Sequence, residues 1–273
     1  MIIYKKVNDI SIFLNRNKKG GKTIGLVPTM GALHKGHISL IEESKKTNDL
    51  TVCSIFVNPT QFNDKSDFDK YPITIEADIL MLINAGCDIL FLPSVNEIYP
   101  DNSNLEQYDL GQLETVLEGK FRPGHFQGVC QVVHRLLNII KPNHLYLGQK
   151  DYQQCMVVQK LIQLKNIDTR LTICPIVRES NGLAMSSRNI RLSNEGWNLA
   201  IAIYQSLLFV KENITSVLIE SIEKQVAHNL LTNGFSSIDY VAICNGDTLE
   251  SLSHYSPQTP IVVLIAAFID EVR

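Results

Sequence analysis

Five short apolar runs, unbroken and rich in β-branched residues, set the strongest constraint on how this chain folds. They are TIGLVP (residues 23–28), LTVCSIFV (50–57), DILFLP (88–93), HLYLG (144–148) and RLTICPIV (170–177). Successive side chains of a strand point to opposite faces, so an unbroken apolar run needs cover on both sides. The segments between them, HISLIEESKK, ITIEADILMLINAG, FQGVCQVVHRLLNII and DYQQCMVVQKLIQLKN, space their apolar residues at a helical period. Strand, helix and strand repeated in this way predict an α/β fold with a doubly wound parallel sheet. In such a sheet, ligands bind at the carboxyl ends of the strands.

The pattern changes after Asn189. SNEGWNLAIAIYQSLLFVK and TSVLIESIEKQVAHNLLTNG read as amphipathic helices, and SIDYVAIC and PIVVLIAAFI as strands. These do not extend the parallel repeat, so the expected division is a larger domain over 1–185 and a smaller C-terminal α+β domain over 186–273.

Composition narrows the partners. Of 273 residues, 45% are hydrophobic and 19% charged, with a formal net charge of −3. That balance suits a globular chain and gives no overall field to recruit nucleic acid or an anionic membrane. The six cysteines are widely separated, without zinc-type spacing, and most sit inside apolar runs. Buried, reduced thiols in a cytoplasmic protein are expected. Charges interrupt the N-terminus where a signal peptide needs its apolar centre, and no apolar run is long enough to span a bilayer.

The loops after the strands are where chemistry is expected. PTMGALHKGH carries Gly31 and Gly36, which permit tight turning and close approach to a ligand, followed by a helix start that favours anions. His34 and His37 lie three residues apart and share a face once that helix begins. Two imidazoles there suit a phosphate chain; the alternative is that one caps the helix and the other packs. In NPTQF, Gln61 can donate and accept at once, which suits a substrate with hydroxyl and carboxylate groups. In GQKDYQQ, Gly148 allows close approach, Lys150 offers a point charge, Asp151 stands at a helix N-cap position and Gln154 falls one turn in. GLAMSSRN places Ser186, Ser187 and Arg188 together as an anion clamp, and GKFRPGHFQG adds Arg122 and His125 on a loop that either closes over a site or crosses the surface.

As a set, these loops resemble a known family. HKGH (34–37) resembles the HIGH signature of the nucleotidyltransferase superfamily, and MSSRN its mobile KMSKS loop. PTMGALHKGH, FVNPTQF, FRPGHFQGV, GQKDYQQ and GLAMSSRN, in that order and across essentially the whole chain, are similar to the pantothenate synthetase (pantoate–β-alanine ligase) family. The resemblance implies a Rossmann-like fold and a two-step reaction. The carboxylate of (R)-pantoate attacks the α-phosphorus of ATP to give pantoyl adenylate and pyrophosphate; the amine of β-alanine then attacks the acyl carbon, releasing pantothenate and AMP. It also implies roles. Met30, Gly31, Ala32, Leu33, His34, Lys35, Gly36 and His37 would line the ATP site, with both histidines on the phosphates and His37 carrying the family's proton-donor label. Gly148, Gln149, Lys150 and Asp151 would hold ribose and phosphates, Val177 the adenine edge, and Met185, Ser186, Ser187 and Arg188 the triphosphate. His34, His37, Lys150 and Arg188 would form the catalytic set. Gln61 and Gln154 would bind pantoate, Gln61 also lying near β-alanine.

Magnesium on the β- and γ-phosphates is implied, with Asp78 a candidate outer ligand, as is a homodimer to which LTVCSIFVNP contributes an edge. Members commonly continue past the last strand with an RLIDN-like tail, whereas this chain ends at Arg273. The alternatives are another HIGH-superfamily nucleotidylyltransferase, which calls for a cationic acceptor pocket, and a class I aminoacyl-tRNA synthetase, which calls for a basic RNA-binding extension. A nucleotide-binding regulatory module without catalysis would tolerate loss of His34, His37 or Lys150, all of which are present.

Overall fold

The computed structural model describes residues 1–63, 65–100, 105–269 and 271–273. The chain divides into two compact units, Met1–Val177 and Arg178–Arg273.

In the first unit the strands are β1 (Ile2–Tyr4), β2 (Ile24–Thr29), β3 (Leu50–Ile55), β4 (Ile89–Phe91), β5 (His144–Gly148) and β6 (Arg170–Cys174). Among the described residues they form one six-stranded sheet in the order β1-β4-β3-β2-β5-β6, every pair parallel. The helices are α1 (Val7–Lys19), α2 (Lys35–Thr47), α3 (Lys65–Asp69), α4 (Ile75–Asn84), α5 (Val95–Ile98), α6 (Glu118–Phe121), α7 (His125–Ile140) and α8 (Tyr152–Leu164).

Neighbouring residues of each strand enter different cores, which is why the runs are unbroken. Leu26, Val52 and Ile89 pack with α1, α7 and α8 on one face, through Ile10, Leu14, Val129, Leu136 and Val158. Val27, Cys53 and Leu90 pack with α2 and α4 on the other, through Leu40, Ile41 and Leu82. Burying each of these side chains fully contributes about 1.5–3 kcal/mol. All six cysteines are free and buried.

The predicted strands and helices appear, with additions. β1 and α1 are not foreseen in the sequence, and β3 lies between β2 and β4, so LTVCSIFVNP supplies no sheet edge. The order reverses between β2 and β5: from β2 the chain moves outward through β3 to β4 and returns to place β5 on the other side. The loops after β2 and β5 therefore flank the crevice where a parallel sheet accepts ligands.

The second unit holds α9 (Asn194–Leu199), α10 (Ile201–Asn213), α11 (Ile219–Thr232) and an antiparallel pair, β7 (Ser237–Asn245) and β8 (Ile261–Phe268). Its core joins Val210, Ile222, Val226, Leu230 and Ile243. The division falls ahead of the expected boundary after residue 185, for a local reason. Arg178 bridges Ala184, the Arg178 guanidinium stacks 4.3 Å from the Tyr204 ring centroid, and a Cβ on Gly182 would lie 2.2 Å from that ring. The segment 178–184 thus packs on α10. No helix among the described residues is long and apolar enough to cross a membrane.

Candidate functional site

β2 delivers the chain into a turn with two consecutive left-handed residues, Gly31 (φ +83°) and Ala32 (φ +48°). Glycine adopts this backbone at little cost; alanine does so only where its surroundings hold it. The holder is Asp78 of α4, 1% exposed. Its Oδ2 accepts from the Ala32 N–H at 3.0 Å and its Oδ1 from the Leu33 N–H at 2.8 Å, while the Thr74 hydroxyl donates to Oδ1 at 3.0 Å. Both carboxylate oxygens accept from protein donors, so this geometry gives Asp78 the task of holding the loop and offers no bare carboxylate for direct coordination of an ion. Among the described residues no group of three His, Cys, Asp or Glu side chains could hold a metal ion.

His34 is the N-cap of α2, and the two histidines cap it together. His34 Nδ1 accepts from the Gly36 N–H at 3.1 Å, and His37 Nδ1 accepts from the His34 N–H at 3.3 Å. Their rings lie side by side, centroids 4.1 Å apart and planes inclined by 37°. Capping and ligand-facing roles, alternatives in the sequence, are thus compatible, because each ring uses one nitrogen for the cap. A backbone N–H can only donate, so both Nδ1 atoms carry lone pairs and each neutral ring holds its proton on Nε2. Burial lowers the His34 pKa to about 4, helped by the Lys150 cation, and that of His37 to about 3, helped by His34. Both are therefore neutral near pH 7. The helix-start N–H groups of His34 and Gly36 are taken by imidazole, and each bond polarises a ring whose Nε2–H is the donor that remains.

The loop after β3 forms a 3-10 turn, Pro59–Gln61. Asn58, 1% exposed, organises it. Its Oδ1 accepts from the Thr60 N–H, the Thr60 hydroxyl and the Tyr99 hydroxyl at 3.3, 3.1 and 2.9 Å. Its Nδ2 donates to the Gly128 carbonyl at 3.0 Å and to Gln61 Oε1 at 3.2 Å. Gln61 is thereby oriented: its oxygen turns to Asn58 and its Nε2 to Met30 Sδ at 2.9 Å. Sequence reasoning passed over Asn58; an asparagine just before a proline turn was the signal on offer.

His125, 6% exposed, donates from Nδ1 to the Gln61 carbonyl at 2.7 Å, and its Nε2 accepts from Arg122 Nη1 at 3.3 Å. Burial first, then the Arg122 charge, lowers its pKa to about 4. The GKFRPGHFQG segment therefore braces the Gln61 turn. Gly128 lets α7 approach: a Cβ there would lie 2.2 Å from the Thr60 carbonyl oxygen. Gly128→Ala is expected to destabilise the protein by about 1–3 kcal/mol, as overpacking against backbone does, read as a lower denaturation midpoint.

After β5, Gln149–Asp151 form a 3-10 turn leading into α8. Asp151 does not cap that helix with its side chain; its Oδ1 lies 3.3 Å from Lys150 Nζ. Both residues influence His34 and His37 electrostatically, which ties the β2 and β5 loops together. Gly148 has an ordinary extended backbone, and a Cβ there would meet no protein atom. Gln154 is half-buried in the first turn of α8, whereas its neighbour Gln153 is buried and bonded to the carbonyls of Leu113 and Val116. Val177 ends the first unit.

Met185, Ser186, Ser187 and Arg188 belong to the second unit. There Ser186 Oγ accepts from the Arg188 N–H at 3.3 Å and caps the 3-10 turn Ser187–Arg191.

Known proteins are similar to this chain in sequence and fold along its length. The family model "Pantoate-beta-alanine ligase" matches residues 2–273. A pantothenate synthetase of Cytophaga hutchinsonii is 45% identical over 275 aligned positions, covering 100% of this chain and 97% of that protein. The crystal structure of pantothenate synthetase from Thermus thermophilus superposes with a TM-score of 0.90 at 36% identity, covering 99% of this chain and 96% of that one. A pantoate–β-alanine ligase from Francisella tularensis, complexed with β-γ ATP and β-alanine, gives 0.84 at 38% identity, covering 100% and 95%. With its two histidines capping α2 at the strand-order reversal, this chain belongs to the pantoate–β-alanine ligase family.

Proposed function

We infer that this chain is an ATP-dependent ligase that condenses (R)-pantoate with β-alanine through pantoyl adenylate, releasing pyrophosphate and AMP. The observation that carries this reading is the histidine pair: two neutral Nε2–H donors fixed by one helix start, in the electrostatic reach of Lys150. In the first step a pantoate carboxylate oxygen bonds to the α-phosphorus while the bond to the bridging oxygen breaks and pyrophosphate leaves. Negative charge moves onto the leaving group. The protein's task is alignment and charge stabilisation rather than covalent help. His34 and His37 do this by donating hydrogen bonds from Nε2 to phosphate oxygens, and Lys150 by its charge. This replaces full proton donation by His37, since its Nδ1 is held by backbone and its ring is neutral.

The remaining assignments follow the family resemblance. Met30 to His37 and Gly148 to Asp151 line the nucleotide, Val177 meets the adenine edge, and Met185, Ser186, Ser187 and Arg188 bind triphosphate. The first domain then binds ATP and pantoate. Magnesium arrives with ATP as part of the substrate. Gln61 and Gln154 hold pantoate, and the orientation of the Gln61 amide supports this by directing its N–H donors away from Asn58. In the second step the β-alanine amine attacks the acyl carbon and AMP departs. A cytoplasmic homodimer completes the reading, the six free thiols supporting a reducing compartment.

The test is product release. Pyrophosphate is expected only with both ATP and pantoate present, and AMP release is expected to need β-alanine as well. Gln61→Ala and Gln154→Ala should each weaken pantoate binding by about 1–3 kcal/mol, the effect of unpaired polar groups, with ATP binding nearly intact by calorimetry. Pyrophosphate release without pantoate, or equal losses for both ligands, would overturn the respective assignments.

A further inference from the structure

We infer that Asp78 is a positioning residue for adenylation, a buried carboxylate that holds the nucleotide loop in its left-handed turn so that Met30 and His34 stand in register. The inference rests on the function proposed above. Consecutive N–H groups in a left-handed turn form a concave anion receptor of the kind that cradles phosphates. In this chain the receptor made by Ala32 and Leu33 is filled by the protein's own carboxylate, at 3.0 and 2.8 Å. These two N–H groups therefore serve the loop's shape, and phosphate contact falls to the histidine Nε2–H donors.

Three further features point the same way. Thr74 is the N-cap residue of α4, yet its hydroxyl makes no cap bond and donates to Asp78 instead. The first turn of α4 is thus built around the carboxylate at the expense of its own cap. A Cβ on Gly31 would lie 3.1 Å from Asp78 Oδ2 and 3.1 Å from Ile55, so glycine lets the carboxylate close on the turn. The turn joins two parts of the site. Met30 on its near side contacts the Gln61 amide, and His34 on its far side begins α2. Loosening it would misplace both the acceptor-side amide and the phosphate-side imidazoles, and misplacement by about 1 Å can cost ~10²-fold in rate.

The test uses Asp78→Asn in the full chain, with Thr74→Val as a milder second variant. An amide of the same shape keeps one acceptor oxygen but sets an NH2 group against a backbone N–H. Three quantities are measured: hydrogen exchange at the Ala32 and Leu33 amides, single-turnover adenylate formation per folded enzyme, and the magnesium concentration for half-maximal rate. The expected result is exchange about tenfold faster or more at those two amides, adenylation slowed about tenfold or more, and unchanged magnesium dependence. Thr74→Val should shift the first two in the same direction by less. Intact amide protection with a raised magnesium requirement would overturn the inference in favour of a metal ligand. Faster exchange with an unchanged chemical step would reduce Asp78 to a structural role and overturn it equally. The exchange measurement needs no substrate, so failure of the proposed reaction would remain distinguishable from failure of the anchor.

Discussion

Replacing either histidine of the α2 cap by alanine is expected to slow single-turnover adenylate formation by about 10²- to 10³-fold, the scale of removing a donor aimed at developing charge. Each imidazole has two jobs on two atoms, and amide substitutions separate them. Asparagine places a polar atom near Nδ1 and can accept the backbone N–H; it has nothing at the position of Nε2. Glutamine places an N–H near Nε2 and leaves the cap acceptor absent. His34→Asn should thus preserve the thermal midpoint yet lose the chemical step as the alanine variant does. His34→Gln should keep part of the rate while losing about 1 kcal/mol of capping stability. Aminolysis of supplied pantoyl adenylate should suffer less in all of these variants, because no pyrophosphate leaves in that step. Rapid-quench measurement decides: an unaltered single-turnover rate in folded His34→Ala and His37→Ala would remove both residues from the reaction. A Gln variant as inactive as Ala would argue for full proton transfer.

The parallel sheet was legible because burial on two faces leaves an unbroken apolar signature, as Leu26–Val27 and Val52–Cys53 illustrate by entering opposite cores. β1 escaped notice since three residues carry no period. α1 escaped because its buried contacts reduce to Ile10 and Leu14 within a polar segment. The loops were legible as strand ends rich in glycine, histidine and lysine. What each atom does within them was not. For Asp78 the resemblance implies only an outer metal ligand, and a lone carboxylate on a helix does not reveal that two backbone N–H groups, more than 40 residues earlier, bond to its oxygens. Asn58 gave little signal because its partners, Tyr99 and Gly128, come from distant segments that only folding brings alongside. Long-range hydrogen bonding is the information that local pattern lacks.

The same desolvated histidines make the fold sensitive to acid. Desolvation holds His34, His37 and His125 at about 4, 3 and 4, against an ordinary value of 6.5, and also lowers His134. Well above pH 6.5, by about pH 7.5, neither folded nor unfolded chain protonates these rings, so their contribution to stability is fully present. As pH falls below 6.5 the unfolded chain takes up protons that the folded chain refuses. Stability then declines by up to about 1.4 kcal/mol per pH unit for each of His34, His37 and His125, until their folded values are reached. His34 and His37 are both partly exposed, so solvent softens their shares. Allowing for this, the loss between pH 6.5 and 5 is expected to be roughly 3–5 kcal/mol, a fall of about 10 °C in the thermal midpoint for a chain of this size. Most carboxylates are still ionised across that window, so the decline belongs to the histidines. His125→Asn can keep a donor to the Gln61 carbonyl without a titrating ring, and its midpoint should match the parent near pH 7.5 and fall less steeply below 6.5. Calorimetry at pH 7.5, 6.5 and 5 checks this. A flat midpoint in the parent, or identical slopes in parent and His125→Asn, would show that these rings are not held neutral by the fold.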